Sequence, residues 1–355
     1  MWEKFEKFIL QKSSDFIGID IGAGAIKLVE IAWQKGKPVL KNYGIQKLPE
    51  KVIEDGLIVD VEQLTATLRK LLATTHTESQ NVVMAVGGRI MFARELIFPA
   101  MTIEELGEAI KWDLEKYIPY APGTYYFDFS IVGQGNTETE IKVLLVASPL
   151  DHVNHLIQMV KNVGLKLVAI DVEPLALYRV FDDADQAMVI ALGALISQVT
   201  IFHNASPTVI RNISIGGQNF TNIIMQTLGV NFNEAEDIKQ RHTILGQQDL
   251  SAEYAEVKKQ FDFLVEEFSR DIRRTVDYFQ QQHKDVIVRK VFLIGGGAKL
   301  NNVGQSLGIL LGMPVVMPDP LLKLTIPTSF DQMHLEQIAP QLGTAIGLAL
   351  RGGDS

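Results

Sequence analysis

Residues 16–31, FIGIDIGAGAIKLVEI, decide the fold that this sequence predicts, and residues 188–202, MVIALGALISQVTIF, form a fainter copy of them. The first stretch opens with an apolar run that indicates a buried strand. Asp20 stands at the end of that strand, and Gly22 and Gly24 follow it. Small residues let a backbone turn approach a ligand closely and point its N–H groups at an anion. The stretch therefore predicts a phosphate-binding hairpin.

The hairpin carries two charges near its turn, at Asp20 and Lys27. A carboxylate at the end of a strand can hold a metal ion through its water shell, and the lysine adds a positive point charge. Taken alone, a D-x-G-x-G pattern more often marks a strand followed by an ordinary glycine turn. The repeat favours the functional interpretation, because an internal repeat carries information about architecture.

The copy becomes visible when Asp20 is aligned with position 191. The residues that then coincide are Ile19 with Ile190, Ile21 with Leu192, Gly22 with Gly193, and Ala23 with Ala194. The alignment predicts one structural unit used twice, about half a chain apart. Position 191 is an alanine, so the second copy lacks the acidic residue of the first.

Composition narrows the class of protein. A chain of 355 residues predicts two domains, or one domain split into two similar lobes. The net charge of −9 argues against a general nucleic-acid surface, and the absence of cysteine rules out disulfides, Cys-ligated zinc and thiol catalysis. We find no apolar run long enough to cross a membrane and no signal-peptide pattern at the start.

The first residues form a short amphipathic pattern, with its apolar side made of Trp2, Phe5, Phe8 and Ile9. Such a segment can touch a membrane surface. It can equally pack on the body of the protein or on a partner, and the sequence leaves these alternatives open.

The order of elements predicts a division into five segments. They are an N-terminal amphipathic segment at 1–15, a first lobe at 16–94 and 172–188, an inserted unit at 95–171, a second lobe at 189–340, and a C-terminal helix at 341–355 that returns to the first lobe. The first lobe opens with the order βββαβ, in which we expect Asp60 to cap the helix. Such an opening is typical of one lobe of a mixed α/β fold. In the inserted unit, Thr102 and Glu105 predict a capping box before the first helix. We expect the order αββαβ, with a last strand at 165–170, to form a small sheet with helices on one side.

Several polar groups are weaker candidates for a site. His152 and His155 lie three residues apart on a predicted helix, but a metal site needs further ligands. Asp171 and Glu173 follow a strand where the lobes should join, and we interpret them as acids at a helix start rather than as cleft residues.

Four stretches resemble the actin, Hsp70 and sugar-kinase superfamily and, within it, the PilM family of type IV pilus assembly proteins, a relative of the cell-division protein FtsA. They are DIGAGAIKLVE at 20–30, IKWDLEKYIPY at 110–120, GGQNFTNIIMQTLGVNFNEAEDIK at 216–239, and IGGGAKLNNVGQSLGILLGMPV at 294–315. The resemblance covers nearly the whole chain. It implies an actin-like fold of two lobes that clamp ATP, with an FtsA-type subdomain at 95–171.

The resemblance also implies the residues of an ATP site. These are Asp20, Gly22, Ala23, Gly24 and Lys27 in the first phosphate motif, Gly193, Ala194 and Ser197 in the second, Glu236 and Lys239 at the ribose and base, and Gly295, Gly296 and Gly297 in the adenosine motif. It further implies Mg²⁺ held through water by Asp20.

Ala191 departs from the superfamily, which normally has an acid there to place magnesium and the attacking water. Losing one positioned catalytic group typically lowers a rate by about 10²–10⁴. We therefore expect nucleotide binding with little or no hydrolysis and name no catalytic residue. The complete loss of nucleotide binding stays open.

In function, the resemblance implies a cytoplasmic scaffold, peripheral to the inner membrane, that docks onto the cytoplasmic N-terminal peptide of PilN. The groove would lie between the first lobe and the insert, with a strand at 81–94 and a helix at 102–117 as candidates. Contact with pilus motor ATPases and self-association are further implications. Two alternatives remain: an active ATPase or kinase on the same fold, which Ala191 opposes, and an FtsA-like membrane-associated filament protein, although the chain stops at Ser355 without a linker and amphipathic helix.

Overall fold

The computed structural model describes residues 15–54, 56–182, 184–247, 250–284 and 286–353. The amphipathic pattern around Trp2, Phe5 and Phe8 lies outside these residues, so its role stays a prediction.

The first lobe is a five-stranded mixed sheet with strand order β10–β6–β1–β2–β3. Its strands are β1 (Asp15–Ile21), β2 (Ala25–Gln34), β3 (Lys37–Lys47), β6 (Asn81–Val86) and β10 (Lys166–Val172). A short hairpin of β4 (Ile53–Glu54) and β5 (Leu57–Ile58) follows β3. Strands β1, β2 and β3 pair antiparallel, whereas β6 runs parallel to both β1 and β10. Helix α1 (Val61–Thr75) begins at the predicted cap, where Asp60 accepts the backbone N–H of Gln63.

The second lobe repeats this architecture with strand order β13–β12–β11–β14–β15. Its strands are β11 (Ala187–Leu192), β12 (Ser197–His203), β13 (Ser206–Ile213), β14 (Lys290–Ile294) and β15 (Val315–Val316). The antiparallel hairpin is again central, and β14 pairs parallel with β11 as β6 does with β1. The predicted use of one unit twice is therefore confirmed at the level of sheet topology.

The helices of the second lobe cover one face of its sheet. They are α5 (Gly217–Leu228), α6 (Phe232–Arg241), α7 (Ala252–Gln282) and α8 (Val303–Leu311). The stripe of aromatic residues on α7 is core, because Phe261, Phe268 and Phe279 are fully buried. Phe261 meets Phe220 edge to face at 4.9 Å between ring centroids.

The inserted unit has its own antiparallel sheet, with strand order β7–β9–β8. It consists of β7 (Phe92–Pro99), α2 (Ile103–Tyr117), β8 (Tyr125–Gln134) and β9 (Glu140–Pro149), followed by α3 (Leu150–Asn162). Helix α2 covers the sheet through Leu106 and Ile110, and the predicted capping box of Thr102 and Glu105 is present.

Two expectations about this region were wrong. The strand predicted at 165–170 is β10, which joins the first-lobe sheet beside β6 and leaves three strands in the inserted sheet. The single strand suggested at 81–94 is broken into β6 and β7 by Gly87 and Gly88, because Gly88 takes a left-handed φ of +62°. The lobe boundaries themselves stay a prediction.

Two helices join the lobes. α4 (Glu173–Val180) and α9 (Gln332–Leu350) pack together in an apolar cluster that includes Ile31 of β2 and Val189 of β11. The glycines make this packing very close, since a Cβ placed on Gly347 would lie 1.8 Å from the carbonyl oxygen of Ala176. The small residues of α9 therefore allow its backbone to pack directly against the backbone of α4.

Candidate functional site

The two predicted phosphate turns have the same backbone geometry. The N–H of Gly22 donates to the carbonyl of Ala25 at 3.1 Å, and the N–H of Gly193 donates to the carbonyl of Ile196 at 3.1 Å. A Cβ on Gly193 would lie 2.7 Å from the Ile196 oxygen, so a side chain there would open the turn. The repeat in the sequence thus corresponds to a repeat of the hydrogen-bonded turn.

The charges of the two hairpins differ. In the first, Asp20 lies directly opposite Lys27, whose Nζ is 2.9 Å from Oδ2 of Asp20. In the second, the same register places Ala191 opposite Gln198. Gln198 is buried, and neither atom of its amide has a hydrogen-bond partner among the described residues. The acid and the cation of the first hairpin are therefore both replaced by neutral groups in the second.

The third glycine turn packs against the second. Gly295 has a φ of +98°, and a Cβ on it would lie 2.5 Å from the carbonyl oxygen of Leu192. A Cβ on Gly297 would lie 2.4 Å from the side chain of Leu192, whereas Gly296 faces Gln341. Because a side chain at 295 or 297 would block these approaches, glycine is needed there for the turn to pack this closely.

The first turn meets the second across the lobes. A Cβ on Gly24 would lie 3.4 Å from the Cβ of Ala194, and Ala23 stands between Gly22 and Gly24 in the same turn. Together with the contact at Leu192, this brings all three glycine turns to one place where the lobes meet, which we call the cleft.

Glu236 and Lys239 lie on α6, and Lys239 contacts the first turn of the neighbouring helix α5. Lys239 Nζ donates to Thr221 Oγ1 at 2.7 Å and to the carbonyl of Gly217 at 3.1 Å, and it also contacts Glu236. Burial raises the pKa of Glu236, but hydrogen bonds from Lys239 and Thr221 outweigh burial and hold that pKa below its ordinary value. The Glu236 carboxylate is therefore charged at neutral pH.

This ion pair borders the third turn. A Cβ on Gly217 would lie 3.7 Å from Lys239 Nζ and 3.9 Å from the Cα of Gly297. The structure thus brings the residues predicted at the ribose and base next to those predicted at the adenosine turn.

Some polar atoms of the second turn form hydrogen bonds within the second lobe. Ser197 is fully buried, and its hydroxyl donates to the carbonyl of Ile215 at 2.5 Å. The carbonyls of Gly193 and Ala194 accept the N–H groups of Gly217 and Gln218 at the start of α5. These contacts fix the turn on the helix, and they give the Ser197 side chain a structural role here.

The sequence analysis preferred an acid at a helix start to a cleft residue for Glu173, and the structure gives it both positions. It is the first residue of α4, and a Cβ on Gly87 would lie 2.4 Å from its Oε2. Burial and the nearby Asp20 carboxylate raise the pKa of Glu173 to about 7, and Lys27 acts in the opposite direction. The pairing of β10 with β6 carries the residue after β10 into the cleft, and no local pattern in the sequence indicates that pairing.

Asp171, which lies two residues before Glu173 in the sequence, forms ion pairs outside the cleft. Its Oδ2 lies 2.7 Å from Arg179 and 3.3 Å from Arg351, so it ties α4 and the end of the last helix to β10.

The predicted binding of Mg²⁺ at Asp20 can be tested against the acidic residues that the structure brings together. Within the residues that the structure describes, no group of three or more His, Cys, Asp or Glu could hold a metal ion. Mg²⁺ does not need such a cage, because it keeps several waters and binds through one or two carboxylates plus phosphate oxygens. Asp20 beside the phosphate turns fits that mode.

His152, the other metal-ligand candidate of the sequence analysis, is buried on its helix, and burial lowers the pKa of its imidazole to about 4.

Comparison with known proteins gives a family and several similar structures. A family model described as type IV pilus assembly protein PilM matches residues 18–353. A solved structure of a PilM-PilN type IV pilus biogenesis complex is similar with a TM-score of 0.83 and 24% identity, covering 96% of this chain and 98% of that chain. Two further similar structures are the ethanolamine utilization protein EutJ from Carboxydothermus hydrogenoformans (TM-score 0.58, 18% identity, 98% of each chain) and MreB5 of Spiroplasma citri bound to AMPPNP (TM-score 0.55, 12% identity, 95% of each chain).

These structural likenesses concern the fold, and they confirm the predicted actin-like α/β fold of two similar lobes. A search of the described helices found none with the length and apolar character needed to cross a membrane.

Proposed function

This chain belongs to the family of type IV pilus assembly protein PilM, and on that premise we propose that it is a nucleotide-binding scaffold of type IV pilus assembly. In this proposal, it works in the cytoplasm at the inner membrane and docks onto the N-terminal cytoplasmic peptide of PilN. It links that membrane platform indirectly to the cytoplasmic motor, and it self-associates.

The observation that carries the nucleotide proposal is the meeting of the three glycine turns in the cleft. The first two turns offer close backbone approach to phosphate groups, and Lys27 adds a cation on the side of the first lobe. Glu236 and Lys239 stand beside the third turn, where a ribose and base would lie. ATP is the ligand that this arrangement fits best.

Each side of the cleft has a separate task in binding. Asp20 would orient the water shell of Mg²⁺, and the ion would neutralise phosphate charge when bound. Lys27 orients the Asp20 carboxylate through their 2.9 Å contact. Glu236 supplies acceptor oxygens, while Lys239 holds Glu236 and the start of α5 in place. Bound nucleotide would favour the closed arrangement of the lobes, as a shift in population.

The nucleotide proposal is tested by titrating a fluorescent ATP analogue into the full chain. Lys239→Ala should weaken binding by about tenfold or more, since the ammonium joins three partners at the ribose side and a charged hydrogen bond contributes about 1.5–3 kcal/mol. Lys259→Ala, an exposed lysine on α7, is the matched control and should bind like the unchanged protein. Equal affinity in both variants would contradict the placement of the nucleotide.

The docking proposal is supported by the similarity to a PilM protein solved in complex with PilN and by two exposed apolar side chains on α2. Trp112 on α2 is 86% exposed and Ile103 is 53% exposed. Tryptophan is highly buried on average and is enriched among the residues that dominate binding energy, so its exposure here favours a partner. We place the groove between α2 and the segment from β6 to β7.

Isothermal titration with a synthetic PilN N-terminal peptide tests this placement. Trp112→Ala should weaken peptide binding by about thirtyfold, the effect of a loss of about 2 kcal/mol at a binding hot spot. Phe263→Ala, a 61% exposed aromatic residue on the second lobe, is the control and should leave the peptide affinity unchanged. If both variants bind as tightly as the unchanged protein, α2 is not part of the docking groove.

A second candidate function, ATP hydrolysis, is favoured by Glu173, because a carboxyl with a pKa of about 7 in a phosphate cleft is suited to act as a general base. Ala191 opposes it, since the second turn then lacks a carboxylate. We propose little or no turnover in the unchanged protein. Ala191→Asp should raise phosphate release by about 10²-fold if only this group is missing, and Ala191→Asp combined with Glu173→Gln should abolish that gain.

A further inference from the structure

Strand β13 of the second lobe runs antiparallel alongside residues 88–95, which lead from the cleft into the inserted sheet. Near the cleft, Asn212 Nδ2 donates to the carbonyl of Gly88 at 2.9 Å, and Arg89 donates to Ser214 Oγ at 2.6 Å. At the far end, Ser206 Oγ donates to Glu95 Oε2 at 3.3 Å. Hydrogen bonds thus tie the second lobe to this segment at both of its ends.

An apolar contact lies between these ends. Ile210 of β13 packs against the apolar cluster of the first lobe, to which Ala93 of β7 and Val146 of β9 also belong. Because β7 and β9 are neighbouring strands of the inserted sheet, the second lobe, through Ile210, and the insert pack against the same cluster of the first lobe.

The cleft end of the segment touches the proposed phosphate site. Gly87 packs on the carboxylate of Glu173, and a Cβ on Gly88 would lie 3.3 Å from Cδ1 of Ile196. Ile196 supplies the carbonyl that closes the second phosphate turn. A displacement of that turn therefore acts directly on Gly88, which has a left-handed conformation with a φ of +62°.

The other end reaches the insert through one carboxylate. Glu95 Oε1 is 3.4 Å from Lys142 Nζ of β9, while its Oε2 accepts from Ser206 of the second lobe. The two oxygens thus bridge the inserted sheet and the second lobe, and β7 extends from there along the face that α2 covers.

We propose that residues 206–214 form a coupling strap, which holds β7 to the second lobe so that movement of the second lobe is carried to the insert. The proposal rests on the proposed function for its purpose: nucleotide in the cleft would then change the affinity of the insert for the PilN peptide. By linkage, the peptide changes nucleotide affinity by the same factor, typically about 5–150-fold for coupled sites.

The test compares the unchanged chain with the double variant Ser206→Ala, Asn212→Ala. Hydrogen exchange of residues 92–99 is measured without any ligand, and PilN-peptide affinity is measured with and without a non-hydrolysable ATP analogue. Arg211→Gln, on the exposed face of the same strand, is the matched control. Thermal unfolding checks that each variant is folded.

The strap predicts that exchange of 92–99 speeds up by about fivefold per lost hydrogen bond in the double variant, since each bond contributes modestly to local stability. It also predicts that, in the double variant, nucleotide no longer changes the affinity for the peptide. Unchanged exchange at 92–99, or undiminished coupling, would overturn the strap. Failure of the unchanged protein to bind nucleotide would refute the proposed function instead, and the ligand-free exchange result still decides the strap.

Discussion

The carboxyl of Glu173 should make both stability and ATP binding depend on pH, and Glu173→Gln removes the titrating group with little change in shape. In the folded protein, burial and Asp20 raise the pKa of this carboxyl from 4.5 to about 7. In the unfolded chain, it ionises near its ordinary value. Between the two values, the folded protein holds a proton that the unfolded chain has lost, so stability falls as the pH rises.

The size of the effect follows from the shift. One unit of pKa corresponds to about 1.4 kcal/mol, so the rise to about 7 predicts a loss of at most about 3 kcal/mol between pH 4.5 and pH 8. Glu173→Gln lacks this loss, because its amide is neutral throughout. The variant should match the unchanged protein at pH 5 and exceed it by about 2–3 kcal/mol at pH 8.

Urea unfolding followed by tryptophan fluorescence at pH 5, 6, 7 and 8 measures this difference. Glu115→Gln, on the exposed face of α2, is the control and should follow the unchanged protein at each pH. A constant difference between Glu173→Gln and the unchanged protein across the range would refute the reasoning, because it would mean that Glu173 does not change ionisation there.

The same group predicts the pH dependence of binding. Phosphate close to Glu173 raises its pKa further, so nucleotide binding takes up a proton near neutral pH. ATP affinity should therefore fall as the pH rises from 7 to 8, by at most about tenfold, and Glu173→Gln should flatten that dependence. A pH-independent affinity in the unchanged protein would place the phosphates away from this carboxyl.

Three further predictions concern stability, each measured by chemical unfolding. Gly347→Ala places a Cβ 1.8 Å from the carbonyl oxygen of Ala176 and should cost about 3 kcal/mol or more, whereas Gly133→Ala meets open space and should be nearly neutral. Phe261→Ala removes a fully buried ring that packs on Phe220 and should cost about 3–5 kcal/mol; a cost below about 1 kcal/mol would mean that the core collapses into the gap. Thr102→Ala breaks the capping box of α2 and should cost about 1 kcal/mol, with the neighbouring Ile103→Ala as a reference that leaves the cap intact.

Local patterns predicted most of the elements. The strand and glycine spacing at 16–31 defined the first hairpin, and its copy defined the second, because both signals lie within one short stretch. The caps at Asp60 and Thr102 marked the starts of α1 and α2 correctly, since a capping side chain reaches only three residues along the chain.

Long-range pairing was harder to predict. The pattern of β10 indicates a strand but not the sheet that it joins, and β10 pairs with β6 although the whole inserted unit lies between them in sequence. The placement of Glu173 depends on that pairing, so the sequence alone favoured an ordinary helix start. The break at Gly87 and Gly88 did carry a signal, because glycine within a strand pattern often marks an interruption.

Within the candidate site, residue identity predicted position better than it predicted contacts. Gly193, Gly295 and Gly297 lie at close backbone approaches that need glycine. Ser197 shows the opposite case. The presence of a serine in the sequence does not tell whether its hydroxyl contacts a ligand, and in the structure that hydroxyl donates to the carbonyl of Ile215.

The most direct test of nucleotide binding in the cleft is to incubate the purified chain with Mg·ATP, desalt it, denature it and analyse the released nucleotide. We expect intact ATP in an amount equimolar to protein for the unchanged chain, and a marked loss for Lys239→Ala. Released phosphate with retained ADP would bring the hydrolytic function forward. An empty cleft in the unchanged protein would contradict the proposed nucleotide-binding scaffold.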